Sequence, residues 1–366
     1  MIIRPKDQIT TAQAAIINIS FMLGAGILTL PRTVSEKVKT PDVWISVIIG
    51  GLISMVLVLI IVKLCEQFPN QTFYQYSQEI IGKWMGSIIS LFIIGYFFTL
   101  SAFEVRVMAE TTRFFLLQGT PTWAIIIPFL WIGIYLISGS LNSIARMLEI
   151  IFPITVIFFL IVMLLGLKIF KIDNLRPVLG LGIMPVLKGI KSTSLSFIGY
   201  EIFLVIYMFM KDQKKAKKAA LIGITVPLIF YIVAVVMTVG TFSINGVVTQ
   251  TWPILTFIRS FEVTGLIFER FDSLFLAIWI MQLFTTFVIS YYAAALGLAQ
   301  LSRKPIQPFI FSLLPVIYII SMTPKNINGL FTLGDFLGKF GLYLFSLMPI
   351  LLLIITTVRG IKHEKT

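Results

Sequence analysis

Apolar stretches about twenty residues long recur from one end of this chain to the other, and they leave few architectures open. A helix crossing a bilayer needs about 20 largely apolar residues. On that template ten stretches qualify, at roughly 11–33, 43–64, 84–112, 123–140, 146–168, 184–210, 217–241, 271–300, 307–322 and 337–358. The ninth is the weakest, being short and interrupted by Pro315. In hydrocarbon every backbone N–H and C=O must be paired within the protein, so the chain reads as an all-α integral membrane protein. Only 12% of its 366 residues are charged and 58% are hydrophobic, whereas soluble domains are about 25% charged. A single membrane domain over residues 1–366 is expected.

The net charge of +13 does not read as nucleic-acid binding. Lys and Arg sit mostly between the apolar stretches, where positive charge sets orientation and meets anionic lipid headgroups. The connection MKDQKKAKK carries Lys211, Lys214, Lys215, Lys217 and Lys218, while the one after the third stretch has no positive charge. That asymmetry places both termini in the cytoplasm. One cysteine (Cys65) and one histidine (His363) argue against zinc clusters, His-based triads and enzymatic chemistry in general. No metal and no cofactor are expected. The polar, basic start (Arg4, Lys6) runs into an apolar segment without a small-x-small cleavage site, so that segment is read as the first span rather than a signal peptide.

Within that segment lies Leu23-Gly24-Ala25-Gly26. Two readings stand: a close helix–helix contact of the small-residue kind, or a broken helix lining a small-molecule site at the membrane midplane. Stretches one to five end near Lys168 and stretches six to ten begin near Met184. If the halves share a fold, an odd number of spans in each makes them inverted repeats, over 1–172 and 183–366. The sixth stretch then corresponds to the first, and it holds Ser192-Thr193-Ser194-Leu195-Ser196-Phe197-Ile198-Gly199. Its hydroxyls can serve backbone groups freed by an unwound turn. Paired interruptions favour the site over plain packing.

Several side chains stand out at these depths. Glu201 lies two residues past Gly199; a carboxylate there must face protein or water, as a proton or coupling site, a binder of an amine, or a tie between helices. Counting outward from Trp84 puts Glu104 at the outer interface, and Arg106 with Glu110 at i,i+4 forms an ion-pair patch. Tyr96 and Leu100 share a face deeper in the same helix. Gln282, Thr285 or Thr286, and Ser290 make one polar stripe, either stitching helices or binding substrate or sodium through hydroxyl oxygens. Helix N-termini at a break suit a carboxylate, and freed carbonyls suit an ammonium. With Tyr96 and Phe197 as aromatic walls, the expected ligand is a small zwitterion, though a neutral polar solute would fit. Gly24→Ala or Gly26→Val is expected to abolish the response by filling the turn and by demanding backbone angles that Cβ disfavours. The external connections 168–183 and 241–270 are long, and the second, with Trp, Phe and Ile at irregular spacing, reads as short helices capping the bundle, or as a lid or partner contact.

The runs LGAGILTLPR, TPDVWIS, GYFFTLSAFEVRVMAETTRFFLL, NLRPVLG, SFIGYE and IFERFDSLFLAIWIMQLFTTFVI resemble the permease-like B subunit of bacterial spore germinant receptors, a branch of the amino acid–polyamine–organocation transporter superfamily. The likeness runs over nearly the whole chain. It implies about ten transmembrane helices in a five-plus-five inverted repeat with spans one and six broken. It also implies a nutrient site between spans one, three, six and eight, and a complex with A and C subunits in the spore inner membrane. Carried onto this sequence, that site comprises Gly24, Ala25, Gly26, Tyr96, Leu100, Phe197, Ile198, Gly199, Thr286 and Ser290, where a larger residue can stand at the last position. Ligand identity varies within the family, and the resemblance implies an amino acid such as L-alanine as the expected class. Three roles remain: a receptor subunit dependent on partners, an autonomous amino acid transporter, or a structural anchor that binds no ligand.

Overall fold

The computed structural model describes residues 7–260 and 271–360. Helix α1 (Thr11–Met22) starts at a capping box: the Gln13 N–H donates to the Thr10 hydroxyl at 3.2 Å, and the Thr10 N–H to the Gln13 side chain at 2.9 Å. It stops after three turns, and α2 (Gly26–Val38) resumes at 51° to it. There follow α3 (Val43–Cys65), α4 (Phe73–Ile81), α5 (Lys83–Phe115), α6 (Thr122–Ser138) and α7 (Leu141–Leu165). The sixth apolar stretch is also in two pieces, Met184–Phe197 and Tyr200–Phe209, bent by 45°. These contain α8 (Met184–Gly189), α9 (Ser194–Phe197) and α10 (Phe203–Ile206), linked by 3-10 turns. The chain closes with α11 (Ala216–Thr249), α12 (Pro253–Arg259), α13 (Phe271–Ser302), α14 (Gln307–Met322) and α15 (Ile327–Arg359).

Six of the described helices are long and apolar enough to cross a membrane, and eight spans result if each bent pair counts as one. The remaining two expected spans are the shorter apolar helices α6 and α14, of 17 and 16 residues. Two boundaries differ from expectation. Helix α15 starts at Ile327 rather than near 337, because the Asn326 side chain caps it, accepting from the Gly329 N–H at 2.9 Å. Helix α11 runs on to Thr249 through a kink at Ser243, which shortens the connection expected from Thr241. Within that connection α12 buries Ile254, Leu255 and Phe257 and packs on α2, α11 and α13, as a cap would. Residues 261–270, part of the same connection, and His363 lie outside the described residues. In the connection after α7 the backbone forms 3-10 turns, Gly166–Ile169 and Ile172–Leu175.

Polarity is inverted relative to a soluble protein. Trp84, Trp131, Tyr135, Leu351 and Val358 are exposed, while Asn18, Ser20, Glu104, Glu201, Gln282, Thr285 and Thr286 are buried. Apolar surface outside and polar groups within suit hydrocarbon as solvent. Helix α1 lies deep in the bundle, against α7, α11 and α13, and α5 packs along α13. Both breaks are therefore enclosed by protein.

Candidate functional site

Ending α1 at Met22 deprives its last carbonyls of intrahelical donors and leaves the first N–H groups of α2 without acceptors. Side chains from other helices take up this unmet demand. From α13, the Gln282 amide donates to the Ser20 C=O at 2.9 Å, and the Thr285 hydroxyl lies 3.2 Å from the same oxygen. The Thr286 hydroxyl reaches the Ser20 and Phe21 carbonyls at 3.1 and 3.2 Å. From α11, the Tyr231 hydroxyl donates to the Met22 C=O and lies 2.8 Å from the Ser196 C=O of the second break. On the far side of the gap the Ala25 N–H donates to both carboxylate oxygens of Glu104, at 3.2 and 3.1 Å. Glu104 is thus seated on the N-terminus of α2, where the helix dipole favours a negative charge.

The second break is built from its own sequence. Gly199 has φ 145°, a backbone that a Cβ would strain. Its N–H donates to Glu201 Oε2 at 2.6 Å, and the Tyr96 hydroxyl of α5 donates to Oε1 at 3.1 Å. Ser196 joins the two breaks directly, donating to the Gly26 C=O at 3.1 Å. Each break therefore carries one buried carboxylate on a freed N–H. No basic side chain pairs with either among the described residues, where the ion pairs lie elsewhere, as in Arg106–Glu110 at 2.9 Å.

The residues expected to form a site converge on this region. Gly24 faces Thr286 and Glu104: a Cβ there would stand 2.6 Å from Thr286 Oγ1 and 2.7 Å from Glu104 Oε1. A Cβ on Gly26 would stand 2.7 Å from Ser196 Cα. Tyr96 and Ile198 meet over Gly341 of α15, and Phe197 stacks edge-on against Tyr231. Leu100 is buried on the α5 face one turn beyond Tyr96. The Ser290 hydroxyl donates to the carbonyls of Thr286 and Phe287 on its own helix. An apolar groove of about 480 Å³ between α5 and α15, lined by Ile88, Phe92, Tyr96, Thr99, Leu337 and Phe340 among others, reaches Tyr96 from the outside of the bundle.

Three expectations need correction. Glu104 is not at the outer interface; it is 3% exposed and bound to Ala25 at the centre of the first broken span. The count from Trp84 failed because α5, at 33 residues, is far longer than one bilayer crossing requires. Neither Gly24 nor Gly26 has positive φ among the described residues, so their requirement for glycine is one of space alone. The freed carbonyls of Ser20, Phe21, Met22 and Ser196 are not without donors: they already accept from Gln282, Thr286 and Tyr231, and a ligand would reach only a remaining lone pair. The α13 stripe therefore stitches helices. Tyr231 escaped the sequence reading; its only signal is a lone hydroxyl in the apolar run PLIFYIVAVV.

An all-helical membrane bundle with two interrupted helices touching at their breaks defines a permease-like protein of transporter fold. In agreement, 98% of the chain superposes on 95% of Mhp1, a nucleobase-cation-symport-1 family transporter in a closed conformation with bromovinylhydantoin bound, with TM-score 0.66 and 13% identity. It also superposes over 96% of its length on 99% of MhsT in complex with L-phenylalanine, with TM-score 0.67 and 10% identity. At such identities the likeness is one of fold. The spore germination protein family (Spore_permease) matches residues 8–330. Spore germination protein YndE of Bacillus subtilis (strain 168) is 56% identical over 97% of this chain and 98% of its own length. Spore germination protein A2 of the same organism is 38% identical, over 97% of each. This chain belongs to the spore germination protein family, which is permease-like and not enzymatic.

Proposed function

We propose that this protein is the nutrient-sensing B subunit of a spore germinant receptor, holding a small germinant between its two broken helices. The observation that carries the reading is the pair of facing breaks, each with a freed backbone N–H on a buried carboxylate, in a chain that belongs to the germination family. An amino acid such as L-alanine is the germinant class this reading names. Gly24, Ala25, Gly26, Tyr96, Leu100, Phe197, Ile198, Gly199 and Thr286 form the pocket wall. Ser290 completes that wall, and Glu201 is the group through which occupancy or a proton acts on span six. The ten apolar helical segments are ten spans in two inverted repeats, 1–172 and 183–366, with both termini in the cytoplasm. The chain works in the spore inner membrane with an A subunit and a lipoprotein C subunit.

Labelled L-alanine binding to the purified chain, with and without Gly24→Ala, tests the site. Saturable binding lost in the variant is expected; unchanged binding in the variant would remove the pocket from the breaks. The transporter fold supports a second reading, an autonomous amino acid carrier. Proteoliposomes holding this chain alone separate the two, since a carrier accumulates label without partners and a receptor subunit does not.

A further inference from the structure

The groove between α5 and α15 lies outside the two breaks and opens where the surrounding solvent is hydrocarbon, since Ile88, Phe92 and Phe336 on its rim are exposed. It has a volume of about 480 Å³. Two of its lining residues carry hydroxyls, and both spend their protons inside the protein. Thr99 donates to the Gly95 C=O at 2.7 Å and Tyr96 to Glu201 at 3.1 Å. The other lining residues are apolar. An occupant finds carbon to pack against and no donor.

Gly95 makes the groove. A glycine inside a helix costs roughly 1 kcal/mol relative to alanine, and elsewhere in this bundle close packing accounts for it. A Cβ on Gly50, Gly133, Gly297 or Gly341 would stand 2.3 to 2.7 Å from a side chain of a distant segment. At Gly95 the nearest atoms are Phe98 Cε1 and Cζ of the same helix, both at 3.9 Å. The space beyond its Cα is open, and it lets the groove reach down to the buried Tyr96 and Leu337.

The dimensions select the occupant. At 1.5 Å per residue the α5 wall, Ile88 to Thr99, is about 16 Å long, which matches the depth of one leaflet in a hydrocarbon core about 30 Å thick. Over that length the volume leaves about 30 Å² of cross-section, less than half that of a helix 10–12 Å in diameter. A single hydrocarbon chain fits and a helix does not. One turn before Ile88, on the same face, stands the exposed Trp84, a residue type that settles at headgroup level. Lys83 is exposed beside it, and Arg359, exposed at the end of α15, donates to the Ile80 C=O just ahead of α5 at 2.8 Å.

We propose that this groove is a phospholipid site: one acyl chain lies between α5 and α15 against Gly95 and the Tyr96 ring, and an anionic headgroup meets Lys83 and Arg359. The chain packs on the tyrosine whose hydroxyl holds Glu201, so the bilayer stands one side chain away from the second break.

The probe is phosphatidylglycerol with a diazirine on one acyl chain, at low mole fraction in phosphatidylglycerol nanodiscs holding the purified full-length chain. After illumination the labelled peptides are mapped. Label is expected to concentrate on Tyr96 and Leu337, above its level on the exposed faces of α6 and α7 around Trp131, Tyr135 and Leu164. Gly95→Leu, which fills open space, should bring the groove label down to that level without lowering the thermal midpoint. Lys83→Gln should weaken groove labelling about fivefold, the effect of one basic residue near an anionic surface. Even labelling of groove and outer faces would mean annular lipid only and would overturn the proposal, as would groove label that persists in a folded Gly95→Leu. Unchanged labelling in Lys83→Gln would overturn the headgroup assignment. A diazirine fatty acid that labels the groove in preference to the phospholipid would give the site to a free acid instead. The wild-type comparisons decide by themselves if a variant fails to fold.

Discussion

Crowding at two glycines governs what substitution at the first break does. A methyl group at Gly24 must push aside Thr286 Oγ1 and the Glu104 carboxylate, both ends of side chains that can yield. At Gly26 the obstacle is Ser196 Cα, which is backbone and cannot. Gly24→Ala is therefore expected to impair the germination response while the protein still reaches the membrane in normal amount. Gly26→Val is expected to be worse, with destabilisation of roughly 1–3 kcal/mol from overpacking seen as a lower thermal midpoint. Equal phenotypes would deny that backbone contact decides. At Glu201 two donors meet two carboxylate oxygens, the Gly199 N–H and the Tyr96 hydroxyl. Glu201→Gln can keep both bonds: its carbonyl oxygen accepts from the Gly199 N–H and its NH₂ donates to the Tyr96 hydroxyl oxygen, since a hydroxyl also accepts. It removes the charge or proton alone. Tyr96→Phe only deletes a donor. In dose–response curves of spore germination Glu201→Gln should therefore impair the response only through the lost charge or proton; a Gln variant with a wild-type curve would show that neither is used.

At the scale of elements, the kink in span one is held open by α13. Gln282 and Thr286 give the Ser20 and Phe21 carbonyls the donors that a continuous helix would have supplied. Replacing Gln282 with Leu should let the end of α1 fray, raising amide exchange over residues 18–26 while the centres of α3 and α5 stay protected. Uniform exchange across the bundle would argue against a local role. The broken spans themselves were legible from the chain, since Gly24-Ala25-Gly26 and the Ser-rich run ending at Gly199 are conspicuous in apolar surroundings. Their partners were less so. The α13 stripe showed its spacing but not its target, because helical periodicity says which side chains share a face and not which carbonyl they meet. Glu104 was visible as a charge and misplaced in depth, because a count of residues assumes an upright helix of one bilayer's length. Tyr231 was invisible, since its role depends on two carbonyls from distant stretches arriving at one point.

For the molecule as a whole, membership of the germination family leaves open whether the chain acts alone. A receptor subunit should be inert without its partners: expressed by itself it should restore no germinant response to spores lacking the receptor, and full response should return only when A and C subunits are supplied. Response from the chain alone would favour the carrier. The hydroxyl of Tyr231 bears on how the two broken helices keep step. It has one proton and two acceptors, the Met22 carbonyl from the first half and the Ser196 carbonyl from the second. That proton serves both only while they lie together, so any tilt that parts them forces it to side with one. Communication between the halves is then reciprocal, with the same free energy felt from either direction. Tyr231→Phe would leave two deaf halves, each able to bend without notifying the other.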